Sequence, residues 1–324
     1  MRYFAALVLA SLTLPACARA ECTFERADKA WLDKSLSNWR VAERTLLKLA
    51  PAPLPVIVAV DAKCSYTGRA DVAGTVIWTG TAHSGTVVFP DGKTQPLGPL
   101  AFASPAVDQA TGGYFAISLP SVWRTAGVAS VLGLERLMDG VVLHELMHTR
   151  QFYFVNPRLA ELQRRYALGD EIGDDSLQER FAKNAAYSAA YRAERDALFA
   201  AANAPTDVES RRHAARALML MQARRAQWFR GRDAKWLPLD EIFLTMEGLG
   251  QWLAYAWYIQ PNSGVPAGTN LLNAVRRDGR YWTQDEGLAL FLTVDRLVPN
   301  WQRLAFADNP ELAEVLLKRA TQPL

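Results

Sequence analysis

Between Glu25 and Ala50 the apolar residues Trp31, Leu32, Leu36, Trp39, Leu46, Leu47 and Leu49 recur at helical spacing, and Pro51, Pro53 and Pro55 close the helix. The aliphatic run Val56 to Val60 then reads as a short buried strand. Thr75 to Thr79, Thr86 to Phe89 and Tyr114 to Leu119 are rich in β-branched and aromatic residues, and Gly85 and Pro90-Asp91-Gly92 supply turns, which predicts a small sheet. After Pro120 the periodicity is helical almost throughout. A helix is expected from about Leu134 to Phe154, stopping before Pro157. Ser176 with Glu179, Thr206 with Glu209, and Thr283 with Glu286 have the spacing of capping boxes at later helix starts. The first two bracket a helical hairpin turning at Asn203-Ala204-Pro205, and its arginines (Arg192, Arg195, Arg211, Arg212, Arg216, Arg224, Arg225) are assigned to a solvated face. The pattern is therefore α+β: one domain over 21–324, with an N-terminal helix and β-rich part to residue 130 and a helical part from 131.

Composition adds little beyond this. Half of the 324 residues are apolar, and a formal charge of +3 from 36 basic and 33 acidic side chains gives no reason to expect a nucleic-acid partner. The first twenty residues are more telling. Arg2, the apolar run Phe4 to Leu14, Pro15 and the small-residue stretch Ala18-Arg19-Ala20 read as a secretory signal, with Glu21 opening the mature chain. The run is too short to span a bilayer, so no stable membrane span is expected once it is removed. The expected location is periplasmic or secreted; anchoring as a lipoprotein at Cys17 is the lesser alternative, since Pro15 departs from the usual lipobox. Removal of Cys17 leaves Cys22 and Cys64, an even pair in an oxidising compartment, read as a disulfide tying the N-terminal segment to the sheet.

The chemistry concentrates in Val142-Leu143-His144-Glu145-Leu146-Met147-His148. Residues four apart share a helix face, so His144 and His148 can present their imidazoles to one metal ion while Glu145 stands to one side. Two neutral imidazoles, a third protein ligand and an open position for water make up a hydrolytic zinc centre, with Glu145 as the proton carrier. The surrounding apolar residues place these polar groups in or beside a core, where unpaired burial is costly.

The third ligand is expected in Thr245-Met246-Glu247-Gly248-Leu249-Gly250-Gln251-Trp252. Glu247 is a lone carboxylate in an otherwise apolar and aromatic stretch, and a buried carboxylate needs a cation. Gly248 and Gly250 cost helix stability unless another helix must come close there. Glu171, Glu179 and Glu194 are competing ligand candidates, and Tyr255, Tyr258 and His213 are candidates for stabilising an oxyanion.

The combination His144-Glu145-x-x-His148 with a later Glu247-Gly248 resembles the gluzincin branch of the zincin metallopeptidases. The resemblance covers mainly 113–155 and 240–258. It implies a sheet ahead of the motif helix, whose edge strand, matched in order by Tyr114 to Leu119, would hold extended peptide, and a helical half supplying the glutamate ligand. It departs from thermolysin-like enzymes in the long insertion between His148 and Glu247. It departs again at Gln251, where those enzymes have an aspartate that orients a zinc histidine; the Gln251 amide oxygen could accept the imidazole N–H instead. The expected function is zinc-dependent hydrolysis of a peptide or protein substrate. The alternative is a catalytically silent zinc-containing binding or chaperone-like module on the same fold, with 176–232 as its partner surface.

Overall fold

The computed structural model describes residues 22–71, 74–105, 113–169 and 172–322. The expected secretory signal, Cys17 and Glu171 lie outside them. The chain opens with α1 (Arg26–Thr45), then β1 (Val56–Val60), β2 (Cys64–Ala70), β3 (Val76–Ala82), β4 (Thr86–Val88), β5 (Thr94–Pro96), β6 (Ala101–Ser104) and β7 (Tyr114–Ser118). The helices follow as α2 (Pro120–Thr125), α3 (Leu134–Tyr166), α4 (Ser176–Phe181), α5 (Ala185–Asn203), α6 (Asp207–Trp228), α7 (Trp236–Tyr258), α8 (Leu271–Arg276), α9 (Trp282–Leu297), α10 (Trp301–Ala305) and α11 (Ala313–Ala320). The α+β reading holds: a small mixed sheet precedes a mainly helical half.

Five strands form the main sheet in the order β3-β2-β1-β7-β6. Its centre is the parallel pair of β1 and β7, in register Val56 with Tyr114 and Val60 with Ser118. Both strands are buried along their whole length, as a parallel pair covered on both faces should be. Ile57, Ala59, Phe115 and Ile117 face α1 and α3, packing with Trp31, Leu32, Met138 and Val142. Val56, Val58, Val60 and Tyr114 face the other way, onto a second cluster with Val87 and Phe89 from the β4–β5 hairpin. The edge nearest the motif helix is β6, antiparallel to β7 with Ala101 opposite Ile117. The edge role expected of Tyr114 to Leu119 therefore passes to β6, because β7 is paired on both sides.

A disulfide joins Cys22 to Cys64 at the start of β2, and Phe24 stacks on Tyr66 with ring centroids 3.7 Å apart. Among the described residues no helix is long and apolar enough to cross a membrane.

The motif helix α3 does not stop before Pro157 but runs through it to Tyr166. Proline leaves the Tyr153 carbonyl without its helical donor. Packing outweighs that loss, since Phe154 and Val155 before the proline and Leu162 after it enter one cluster with Ile242 and Phe243 of α7. Of the three expected capping boxes only that at Thr206 forms, its hydroxyl accepting the Glu209 N–H at 3.3 Å. Ser176 accepts instead from Gly173 N–H, Asn184 caps α5, and Thr283, already inside α9, donates to the Asp174 carbonyl at 2.8 Å.

The hairpin of α5 and α6 forms as expected, but two of its arginines do not face water. Arg224 and Arg225 are buried. Arg224 bonds Glu194 at 2.6 and 3.1 Å and the Tyr187 hydroxyl at 2.7 Å, with Asp240 and Glu286 at 3.4 Å. Arg225 holds Asp240, Glu241 and Glu314. These pairs lock the hairpin to α7, α9 and α11, the elements behind the candidate site.

Candidate metal centre

Two helices build the centre. On α3, His144 and His148 lie one turn apart and their rings meet edge to face at 4.7 Å. On α7, Glu247 faces them: its Oε2 is 3.1 Å from His144 Nε2 and its Oε1 is 3.2 Å from His148 Nε2. All three side chains are buried and could hold a metal ion, with ligand atoms within 4.8 Å of one another. A tetrahedral zinc with bonds near 2.0 to 2.1 Å spaces its ligands by about 3.4 Å, a little more than the 3.1 and 3.2 Å at which the two Nε2 atoms stand from separate oxygens of Glu247.

Glycine makes the approach of the helices possible. A Cβ on Gly250 would lie 2.8 Å from the His144 ring, and one on Gly248 would lie 2.8 Å from Gly287 Cα on α9. The close contacts inferred from these two glycines are thus present, one to the ligand itself and one to the helix behind α7.

Each imidazole is held from its far side by an amide. His144 Nδ1 lies 3.2 Å from Gln251 Oε1, and the Gln251 amide is oriented by its N–H donation to the Val275 carbonyl at 2.6 Å. His148 Nδ1 lies 2.9 Å from Gln151 Oε1. Gln251 stands where the sequence placed it. Gln151 was not anticipated, although its i+3 position puts it on the face of α3 that carries His148. With each Nδ1 donating its proton to an amide oxygen, a neutral ring turns its Nε2 lone pair toward the Glu247 carboxylate. Two acceptors facing an acceptor need a cation between them, supplied by ring protonation or by a metal. Burial pushes the His148 imidazole down, but the charge and hydrogen bond of Glu247 outweigh it and hold it up at about 9. Burial would raise Glu247, yet the two histidines pull it well below the ordinary carboxylate range.

Glu145 is not part of this cluster. It lines the cavity in front of it, and burial raises its carboxyl, opposed by His148 and His144 and by a backbone hydrogen bond from Ala103 of β6. The Leu100 carbonyl accepts from Ser118 N–H. By the alternation of an antiparallel ladder, Phe102 and Ser104 bond toward β7, while Ala101 and Ala103 turn their backbone groups outward to the cavity.

The cavity has a volume of about 1020 Å³ and is walled by β6, by Trp123 and Val128 after the sheet, by α3 and α7, and by the segment following α8. Asp174 lines it too, pushed up to about 7 by burial and by the charge of Glu247. Gln284 of α9 donates to Glu247 Oε2 at 3.1 Å. Among the oxyanion candidates, Tyr258 reaches the cavity, but its hydroxyl is engaged by the Arg136 and Leu137 carbonyls at 3.0 and 3.1 Å. Tyr255 packs against the core, and neither it nor His213 of α6 lines the cavity. Among the competing ligands, Glu194 is committed to Arg224, and Glu179 is exposed on α4.

Comparison with protein-family models, with curated proteins and with solved structures found no match for this chain.

Proposed function

We propose that the chain is a zinc-dependent peptidase of the gluzincin type, acting outside the cytoplasm. The reading rests on one observation above the others: two imidazole Nε2 atoms and a buried carboxylate converge on one point, with both Nδ1 atoms held from behind and a glutamate free of the cluster beside them. His144, His148 and Glu247 would hold the ion. Bound there, zinc would supply Lewis acidity toward a substrate carbonyl and an attacking water. Glu145 would take a proton from the attacking water and return it to the leaving amine, a task suited to a carboxyl whose affinity for protons burial has raised. Ala101 and Ala103 on the open edge of β6 align an extended peptide by adding it as a strand beside Glu145. The Cys22–Cys64 disulfide supports export, because such bonds persist in oxidising compartments.

The test is Glu145→Gln. It removes the proton carrier while leaving all three ligands, so hydrolysis of a peptide library should fall about 10²- to 10⁴-fold with zinc content unchanged. Absence of stoichiometric zinc in the purified protein, or undiminished hydrolysis by the variant, refutes the peptidase. Zinc retained with no peptide cleaved by the natural chain would favour the binding-module alternative.

A further inference from the structure

The segment after α8 brings three consecutive residues, Arg277, Asp278 and Gly279, into the left-handed backbone region, with φ of 47°, 57° and 68°. Such φ values are costly for the two that are not glycine, and strained backbone of this kind persists only where its surroundings impose it. Here the anchor is Arg276, which bonds both carboxylate oxygens of Asp285 at 2.8 and 3.3 Å and lies 3.9 Å over the Phe199 ring. The strained turn faces the cavity, where Arg277, Asp278, Arg280 and Tyr281 form part of the wall.

The three arginines of this segment differ in one respect. Arg276 is paired with Asp285, a carboxylate it shares with Arg195. Arg277 and Arg280 form no ion pair among the described residues; they flank the Tyr281 ring instead, 5.8 and 5.4 Å from its centroid. Asp278 lies between them on the wall, and Asp175 acts on Arg280 through space. Gln284, in the first turn of α9, joins this wall to Glu247. Two exposed guanidinium forks that form no ion pair among the described residues therefore stand on the wall that carries Glu247, and a planar fork is suited to paired bonding with a carboxylate.

We propose that Arg277 and Arg280 form an anion subsite that binds a carboxylate of the peptide substrate, either its free C-terminus or an acidic side chain near the scissile bond. The proposal rests on the peptidase reading above. It predicts a preference for acidic over neutral forms of one sequence.

The experiment uses the purified protein and three forms of one peptide: the free acid, the C-terminal amide, and the amide with one neutral residue replaced by Glu. Hydrolysis is measured as kcat/KM, and binding to the metal-free protein by calorimetry. The free acid should exceed the amide by about ten- to hundred-fold if the terminus is the ligand, and the Glu peptide should do so if the side chain is. Arg277→Ala/Arg280→Ala should abolish the discrimination, whereas Arg277→Lys/Arg280→Lys, which keeps the charge but loses the fork, should retain part of it. Unfolding curves of both variants report on the fold. Equal binding of the three peptides, or discrimination that survives in the alanine variant, overturns the subsite. Failure to cleave any peptide overturns the peptidase reading alone, because the binding measurement still decides this one.

Discussion

Substituting Gly250→Ala sets two opposing effects against each other, and the structure says which prevails. Alanine is the better helix former by about 1 kcal/mol, and Gly250 lies within α7, so propensity alone predicts a more stable protein. The added Cβ, however, would sit 2.8 Å from three atoms of the His144 ring, where ordinary contact begins at 3.4 Å. About 0.6 Å must be found. The ring is tied at Nδ1 to Gln251 and flanked on α3 by the fully buried Leu143 and Met147. Overpacking of this kind costs about 1 to 3 kcal/mol, so the net effect is a loss of stability of up to about 2 kcal/mol. The effect on metal is larger in proportion, since ligand distances tolerate only about 0.2 Å of error. We expect zinc affinity to fall about 10- to 100-fold, as when a supporting contact of a ligand is removed. Competition against a chromophoric chelator measures the affinity, and thermal unfolding of the metal-free protein measures the stability. Gly98→Ala, at a position where a Cβ meets nothing within 4 Å, serves as control. Unchanged zinc affinity together with raised stability in Gly250→Ala would refute the reasoning, because propensity would then be the sole effect.

Four further outcomes follow from the structure. Gln251→Leu and Gln151→Leu should each weaken zinc about 10- to 100-fold with the fold intact, measured by the same competition; retained affinity in either would show that its amide does not position the ring. Arg224→Met leaves Glu194 and Asp240 buried without their central partner and should cost about 3 to 5 kcal/mol in urea unfolding. Glu286 behaves oppositely: burial and the adjacent Glu194 raise its pKa, so the folded state keeps a proton that the unfolded state releases near 4.5. Stability therefore declines as pH rises above that value, and Glu286→Gln should lessen the decline between pH 5 and pH 8; an unaltered slope would contradict the assignment. Reducing the Cys22–Cys64 bond, which closes a loop with a sequence separation of 42, should destabilise the chain by about 4 kcal/mol on chain-entropy grounds, read as a shift of the urea midpoint.

Much of the centre was legible because helical periodicity is local. His144 and His148 needed only the spacing of one turn, and Gln251 stands one turn beyond Glu247. Glu247 itself was found by contradiction, a carboxylate in an apolar helix with glycines where backbones must approach. Gln151 carried the same kind of signal as Gln251. Features that depend on partners distant in sequence were harder. The parallel pairing of β1 with β7 leaves no mark in either strand alone, so the edge went to β7, and β6, only Ala-Phe-Ala-Ser, was too short and small to announce itself. Arg224 and Arg225 look like solvated arginines until α7 and α9 deliver Asp240 and Glu286. Pro157 ends a helix in isolation, but here clustered apolar residues on both sides of it keep the helix continuous.

The two amides behind the imidazoles have a consequence of their own. A carboxylate in that position can take up a proton in mild acid and surrender its hold on the ring; glutamine cannot. The two amide contacts to His144 and His148 therefore contain no titrating acceptor, and loss of a bound metal in acid would be governed by the ligands themselves. A protein that works outside the buffered interior of the cell would carry a scaffold for its ion that does not titrate.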